Sequence, residues 1–265
     1  MKKRLAENTA RRLERLPLYL LSLGLLLLLW QGALLTVEET ARHFLIPTPG
    51  QVIQRLIRLL EDGTLLRHLR VTLLEMSLGL AVGTAAALLL GYAVAHSRFL
   101  AHLLEPIIVT SQALPIVALA PLLTIWFGPG LASKVVVCAL IVFFPILVNV
   151  TAGLQGIDPR HRDLFRLLEA TPWQRFRQLE VPAALPAFLT GLRVGGTLAA
   201  MGAVVGEFVA SSAGLGYLVK QGQNLYDTPL MFVAIFTLTL MALTVYGTLG
   251  LVERLLLRWR VEDGQ

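Results

Sequence analysis

Charge and cysteine are both scarce in this chain, and each shortage excludes something. Asp, Glu, Lys and Arg make up only 15% of its 265 residues, where a soluble domain is about a quarter charged. With 55% of the residues hydrophobic, that deficit argues against a water-soluble protein. The single cysteine, Cys138, excludes a disulfide scaffold, a Cys-rich zinc site and a Cys-ligated iron–sulfur cluster. The histidines, His43, His68, His96, His102 and His161, all fall outside the central parts of the apolar runs and assemble no evident metal or proton-relay site. No G-x-S-x-G, H-E-x-x-H or carboxylate–histidine constellation occurs within those runs, which counts against an intramembrane enzyme. The net charge of +6 would suggest nucleic acid in a soluble protein; here it reads as a cytoplasmic excess of Lys and Arg, and no nucleic-acid partner is expected.

A helix needs about 20 apolar residues to cross the hydrocarbon core. Five runs free of Lys, Arg, Asp and Glu are long enough: Leu16 to Val37, Met76 to Ser97, Pro106 to Ser133, Val135 to Ile157 and Thr228 to Val252. A sixth, roughly Ala184 to Ala210, is interrupted by Arg193 and Glu207 near its ends, where long side chains reach the interface. The expected fold is an all-α membrane protein, a six-helix transmembrane bundle over residues 16–260, with a segment at 1–15 and a tail at 261–265, both cytoplasmic. The first run exceeds a signal-peptide core and lacks an A-x-A site, so it should stay attached as an anchor. With the N-terminus inside, the inside segments hold 15 Lys and Arg against 7 outside, which places both termini in the cytoplasm.

Between the first two runs, Val52, Ile53, Leu56, Ile57 and Leu60 recur at helical spacing with Gln51, Gln54, Arg55, Arg58 and Glu61 opposite. This is an amphipathic helix on the outer surface, ended by Gly63, which either packs on its own domain or meets lipid directly. Glycine pairs at four-residue spacing, Gly79/Gly83, Gly191/Gly195 and Gly202/Gly206, allow close helix approach within a compact bundle.

The longest inside loop, residues 155–183, carries helix signals of its own. Asp158-Pro159 is a cap and first-turn pair. Thr171 and Gln174 form a capping box around Pro172 and Trp173. Two short helices are expected, returning the chain to Pro182 and Pro186 and exposing Phe165, Trp173 and Phe176 either to the protein's own helix ends or to a partner.

The run LFRLLEATPWQRFRQLEVPAALPAFLTGL, Leu164 to Leu192, resembles the cytoplasmic EAA loop of permease subunits from bacterial ABC importers. Supporting stretches are LIPTPGQV at Leu45 to Val52, Trp126-Phe127-Gly128 with Ser133-Lys134, FFPILVN at Phe143 to Asn149, VVGEF at Val204 to Phe208 and GLGYL at Gly214 to Leu218. The resemblance spans about Leu45 to Arg260 and is greatest to the branch handling nitrate, sulfonate, taurine and vitamin precursors. It implies a type I importer permease fold, a second permease copy (a homodimer), two cytoplasmic ATPase subunits carrying ATP and Mg, and an extracytoplasmic binding protein. The ATPase docking surface would be Asp163, Leu164, Phe165, Arg166, Leu168, Glu169, Ala170, Thr171, Pro172 and Trp173. The chain departs from the family where Asp163-Leu164-Phe165 replaces Glu-Ala-Ala and where Glu169 stands at a usual glycine. Because Glu adopts positive φ less cheaply than Gly, the connection is expected to stay helical or to bend at Thr171-Pro172. The chain itself should bind no cofactor: Gly128 to Lys134 lacks the phosphate-cradling spacing, so a partner must hydrolyse ATP.

Polar residues inside a span are costly and raise a functional reading. Thr110, Ser111 and Gln112, followed by Pro115, either face a translocation cavity or bond between helices, and Asn149 carries the same two readings. Glu207 lies near the outer end of its span, as an outer gate or in wet interface; Arg193 is expected to pair with an acid such as Glu105, and Glu75 is interfacial or an ion-pair partner. A secondary transporter would concentrate such groups near the midplane, whereas here they crowd the ends. The wording of Gln178 to Pro182, Gly202 to Phe208 and Asp227 to Leu230 is closer to permeases for thiamine pyrimidine precursors or riboflavin than to those for sulfonates or taurine.

Overall fold

The computed structural model describes residues 46–112 and 115–258, together with 24 and 32. The described residues form helices and no strands. The first expected span, Leu16 to Val37, lies outside them apart from those two glycines. In chain order the helices are α1 (Pro49–Glu61), α2 (Thr64–His96), α3 (Arg98–Gln112), α4 (Ile116–Phe127), α5 (Leu131–Gln155), α6 (Pro159–Leu167), α7 (Pro172–Ala210), α8 (Leu215–Leu225) and α9 (Thr228–Leu256). Of these, α2, α5, α7 and α9 are long and apolar enough to cross a membrane.

The α5 helix is the axis of the bundle. Its Cys138, Val142, Ile146, Val150 and Leu154 recur every four residues and are all buried, with α2 and α7 packed along its length. Glycines permit the approach. A Cβ on Gly83 would sit 2.6 Å from the Ala139 carbonyl oxygen, and one on Gly202 would sit 2.8 Å from Cys138 Cα. The small-residue pairs of α2 and α7 are therefore spent on the chain's own α5, where close backbone contact replaces side-chain interdigitation.

The third expected span is not one helix. The run from Pro106 to Ser133 divides into α3, ending at Gln112, and α4, whose N-cap is Pro115. Proline has no N–H to give and disfavours helix immediately before itself. The 12 residues of α4 reach only about 18 Å at 1.5 Å per residue, well short of the roughly 30 Å core.

The amphipathic α1 forms as expected, opened by a capping box between Thr48 and Gln51 and stopped at Asp62 and Gly63, the latter at φ +71°. The Asp62 carboxylate accepts from the Thr64 backbone N–H at 2.8 Å, which holds its pKa below the ordinary value. Val52 and Leu59 are buried on the domain, and Ile53, Ile57 and Leu60 form an exposed stripe beside them. An ion pair of 2.6 Å between Arg55 and Asp227 ties α1 to the start of α9.

Candidate functional site

At one end of the bundle α6 and the start of α7 form a projecting tip. Asp158 accepts from the Arg160 backbone N–H at 2.8 Å and Pro159 occupies the first turn. Arg162 Nη2 donates to the Leu154 carbonyl at 2.7 Å, which fastens α6 back onto the last turn of α5. The helix then closes on a left-handed residue. Glu169 adopts φ +49°, its N–H donates to Arg166 O and the Ala170 N–H reaches back to Phe165 O, both at 3.0 Å. This is the paired bond pattern of a glycine-type helix stop, so the expectation of a continued helix or a bend at Thr171-Pro172 is corrected. Glu169 does what glycine would do, at a cost of about 1 kcal/mol.

The second expected short helix is not separate either. Thr171 and Gln174 complete their capping box, with Gln174 Oε1 accepting from Thr171 N–H at 2.8 Å, but the helix they open continues for 39 residues to Ala210. It passes a π-turn at Phe176–Glu180, where the Val181 N–H reaches Phe176 O five residues back. Pro182, which has no N–H to place, follows without ending the helix. The tip is thus joined through this π-turn to a continuous helical path of roughly 60 Å at 1.5 Å per residue.

The tip exposes apolar surface: Leu164 is 49% exposed, Leu167 82%, Leu168 67% and Trp173 65%. Phe165 packs inward against the core and Phe176 is half-buried, so two of the three aromatics expected on the surface turn away from it, while Leu164 and Leu168, expected in the docking surface, are exposed together with Leu167. Asp163 and Arg166 pair at 3.0 Å in the open, an interaction of little energetic weight. Ala170 is partly buried, and Thr171 and Pro172 are exposed beside Trp173.

The opposite end of the bundle holds a buried polar cluster. Glu207, fully buried, accepts from Thr72 Oγ1 at 2.7 Å and from the backbone N–H groups of Gly216 and Tyr217. Thr72 Oγ1 accepts in turn from Leu215 N–H at 2.7 Å, and Gly214 N–H donates to His68 Nδ1 at 2.9 Å. The N-terminus of α8 is therefore capped by side chains from α2 and α7, which suits a carboxylate at the positive end of a helix. Beside it, Lys134 Nζ donates to Glu75 at 3.0 Å and to Ser211 Oγ at 2.8 Å. Glu207 is not in wet interface; its carboxylate fastens VVGEF to GLGYL. Glu75 takes the ion-pair reading, with Lys134 as its partner.

The other span residues do not gather into one site. Asn149 Nδ2 donates to Pro145 O at 2.8 Å and its side chain packs on Gly191. Thr110 and Pro115 are exposed on α3 and at the start of α4, and the side chains of Ser111 and Gln112 lie outside the described residues. Arg193 pairs with Glu253 at 3.2 Å and lies 4.0 Å from the Tyr246 ring centroid; Glu105, its expected partner, is exposed on α3. Sequence reasoning passed over Lys134, Thr72 and His68 as participants, and Glu180, whose buried carboxylate meets α2 near the tip.

A family model described as binding-protein-dependent transport system inner membrane component matches residues 79–258. The riboflavin transport system permease protein RibX of Chloroflexus aurantiacus is 44% identical over 90% of this chain and 88% of its own length. The formylaminopyrimidine transport permease protein ThiX of Halalkalibacterium halodurans is 36% identical over 89% of this chain and 93% of its own length. Among solved structures, an inward-facing MetNI methionine ABC transporter chain superposes with a TM-score of 0.66 at 19% identity, covering 73% of this chain and 96% of that one.

Proposed function

Because the chain belongs to the family of inner membrane components of binding-protein-dependent transport systems, a family of ABC transport subunits rather than enzymes, we propose that it imports a flavin or a pyrimidine precursor of thiamine. The identity to RibX and ThiX supports this cargo. Two copies of the chain form the pathway, both termini lie in the cytoplasm, and ATP and Mg sit on two partner ATPase subunits. An extracytoplasmic binding protein delivers the substrate.

The observation that carries the coupling part of the proposal is the exposed apolar tip, Leu164, Leu167, Leu168 and Trp173, built on a capped unit continuous with a membrane-length helix. Apolar side chains at these exposures, held by two caps and a left-handed stop, are suited to a groove on a partner and would lose affinity if truncated. A helical connection transmits displacement where a flexible linker would absorb it. Co-purification of the ATPase subunit with wild-type permease and its loss in Trp173→Ala and Leu167→Ser is the expected result; retention in both overturns the docking surface. For the cargo, titration of the partner binding protein should show tight riboflavin or aminopyrimidine binding, and tight sulfonate or nitrate binding instead would overturn it.

A further inference from the structure

The π-turn of α7 is the place where the tip joins the bundle, and its last residue is a buried acid. Glu180 is 6% exposed, and its two oxygens meet three side chains. Oε2 accepts from Tyr92 Oη at 3.2 Å, and Oε1 lies 3.0 Å from His96 Nε2 and accepts from Arg175 Nε at 3.2 Å. Tyr92 and His96 occupy the last turns of α2, whereas Arg175 precedes the π-turn on the tip side of α7. One carboxylate therefore binds the rod, the tip and the end of a second spanning helix. An aromatic path runs in parallel. Trp173, exposed at the tip, stacks on Phe176 at 5.6 Å between centroids, and Phe176 meets the edge of Tyr92 at 5.7 Å.

Space lies on both sides of this joint. An apolar cleft of about 500 Å³ is lined by Leu88, Tyr92, Leu154, Phe176 and Phe188 with Glu180 at its margin. A polar cleft of about 170 Å³, lined by His96, Arg162, Arg166 and Arg175, shares the same carboxylate. Close-packed interiors do not deform continuously, so a joint that changes angle needs adjoining free volume. A single π-turn within an α-helix is also a frequent mark of a functional position.

We propose that Glu180 is the positioning residue of this joint. It obliges α2 to follow when the tip is displaced, while the clefts admit the rotation. The chemistry calls for a carboxylate, because an acceptor-only group takes both the Tyr92 hydroxyl and the Arg175 Nε–H, whereas an amide turns an NH₂ toward one of them. The inference rests on the tip being the ATPase docking surface.

The test is the assembled transporter, permease with its ATPase subunits and binding protein, reconstituted in vesicles. Glu180→Gln should still co-purify with the ATPase and hydrolyse ATP at the basal rate. Its stimulation by loaded binding protein and its substrate import should both fall about tenfold, the scale of an ordinary coupling free energy. Tyr92→Phe, which removes one donor and keeps the charge, should lower stimulation less than Glu180→Gln while leaving assembly intact. Import and stimulation within twofold of wild type in Glu180→Gln overturn the proposal. So does a parallel loss of assembly, basal hydrolysis and import, which is the mark of a merely structural residue. Retention of the ATPase by Trp173→Ala and Leu167→Ser strikes the docking reading itself, an outcome distinct from any result with Glu180.

Discussion

Replacing Gly214 by alanine probes the union of α8 with the bundle at its tightest point. Gly214 has φ +116° and ψ 165°, a region reserved for glycine that costs an L-residue about 1–3 kcal/mol. An added Cβ would also overlap the Glu207 carboxylate, so Glu207 must withdraw from Thr72 and from the Gly216 and Tyr217 N–H groups. Each buried polar group left unmatched costs about 1–3 kcal/mol. With two of them stranded, the total is about 3–9 kcal/mol, summing strain and orphaned groups. Gly63 supplies the control: its φ is +71°, but a Cβ there meets nothing within 4 Å, so alanine costs only the left-handed strain of about 1–2 kcal/mol. Thermal unfolding of the detergent-purified protein, followed by exposure of buried Cys138 to a thiol-reactive dye, should therefore show a far larger midpoint loss for Gly214→Ala than for Gly63→Ala. Equal losses, or a larger one at Gly63, would refute the reasoning, because the collision with Glu207 is the main difference between the two sites.

Three further outcomes are expected from the same assay or a simple extension of it. Lys134→Met leaves Glu75 buried and unpaired and should destabilise by about 3–5 kcal/mol; adding Glu75→Leu should recover most of it, and failure of the double variant to recover would show that the pair is not the source of the loss. Glu169→Gly relieves the left-handed strain at φ +49° and should stabilise by about 1 kcal/mol, seen as a raised midpoint without loss of import; a lowered midpoint would mean that Glu169 is held by interactions stronger than its strain. Gly83→Val places a branched side chain against the Ala139 carbonyl, 2.6 Å from the new Cβ, and should cost about 1–3 kcal/mol by parting α2 from α5, seen as reduced yield of folded protein; Gly50→Val, where nothing lies within 4 Å, should leave yield unchanged.

The features readable in advance are those whose energetics are local. A run of apolar residues announces a membrane helix through transfer free energy alone, and α2, α5, α7 and α9 lie where those runs lie. Asp158, Thr171 and Gln174 cap the groups predicted for them, because a cap bonds atoms two or three residues away whatever the rest of the chain does. The division of the third run at Pro115 was half visible: the missing proline N–H was evident, yet only the fold shows α3 and α4 as separate helices. The same holds for Glu169, whose left-handed turn goes against its own preference and is held by the paired bonds to Phe165 and Arg166.

Pairings across the bundle belong to another class. Local composition marked Arg193, Glu75 and Glu207 as groups in need of partners, since an ionisable side chain in a membrane segment must be compensated. It could not say that Arg193 would find Glu253, that Glu75 would find Lys134, or that Glu207 would cap α8. Those choices depend on how far α2 and α7 close upon α5, which glycines without side chains decide at Gly83 and Gly202. Glu180 is the sharpest case: in the chain it is one acid in a loop of mixed charge, and only the crossing of α2 over the π-turn of α7 adds Tyr92 and His96 to its local partner Arg175. Need is written along the chain, because solvation acts residue by residue; partnership is settled by geometry, because a hydrogen bond forms only where two distant helices bring its atoms within about 3 Å of each other.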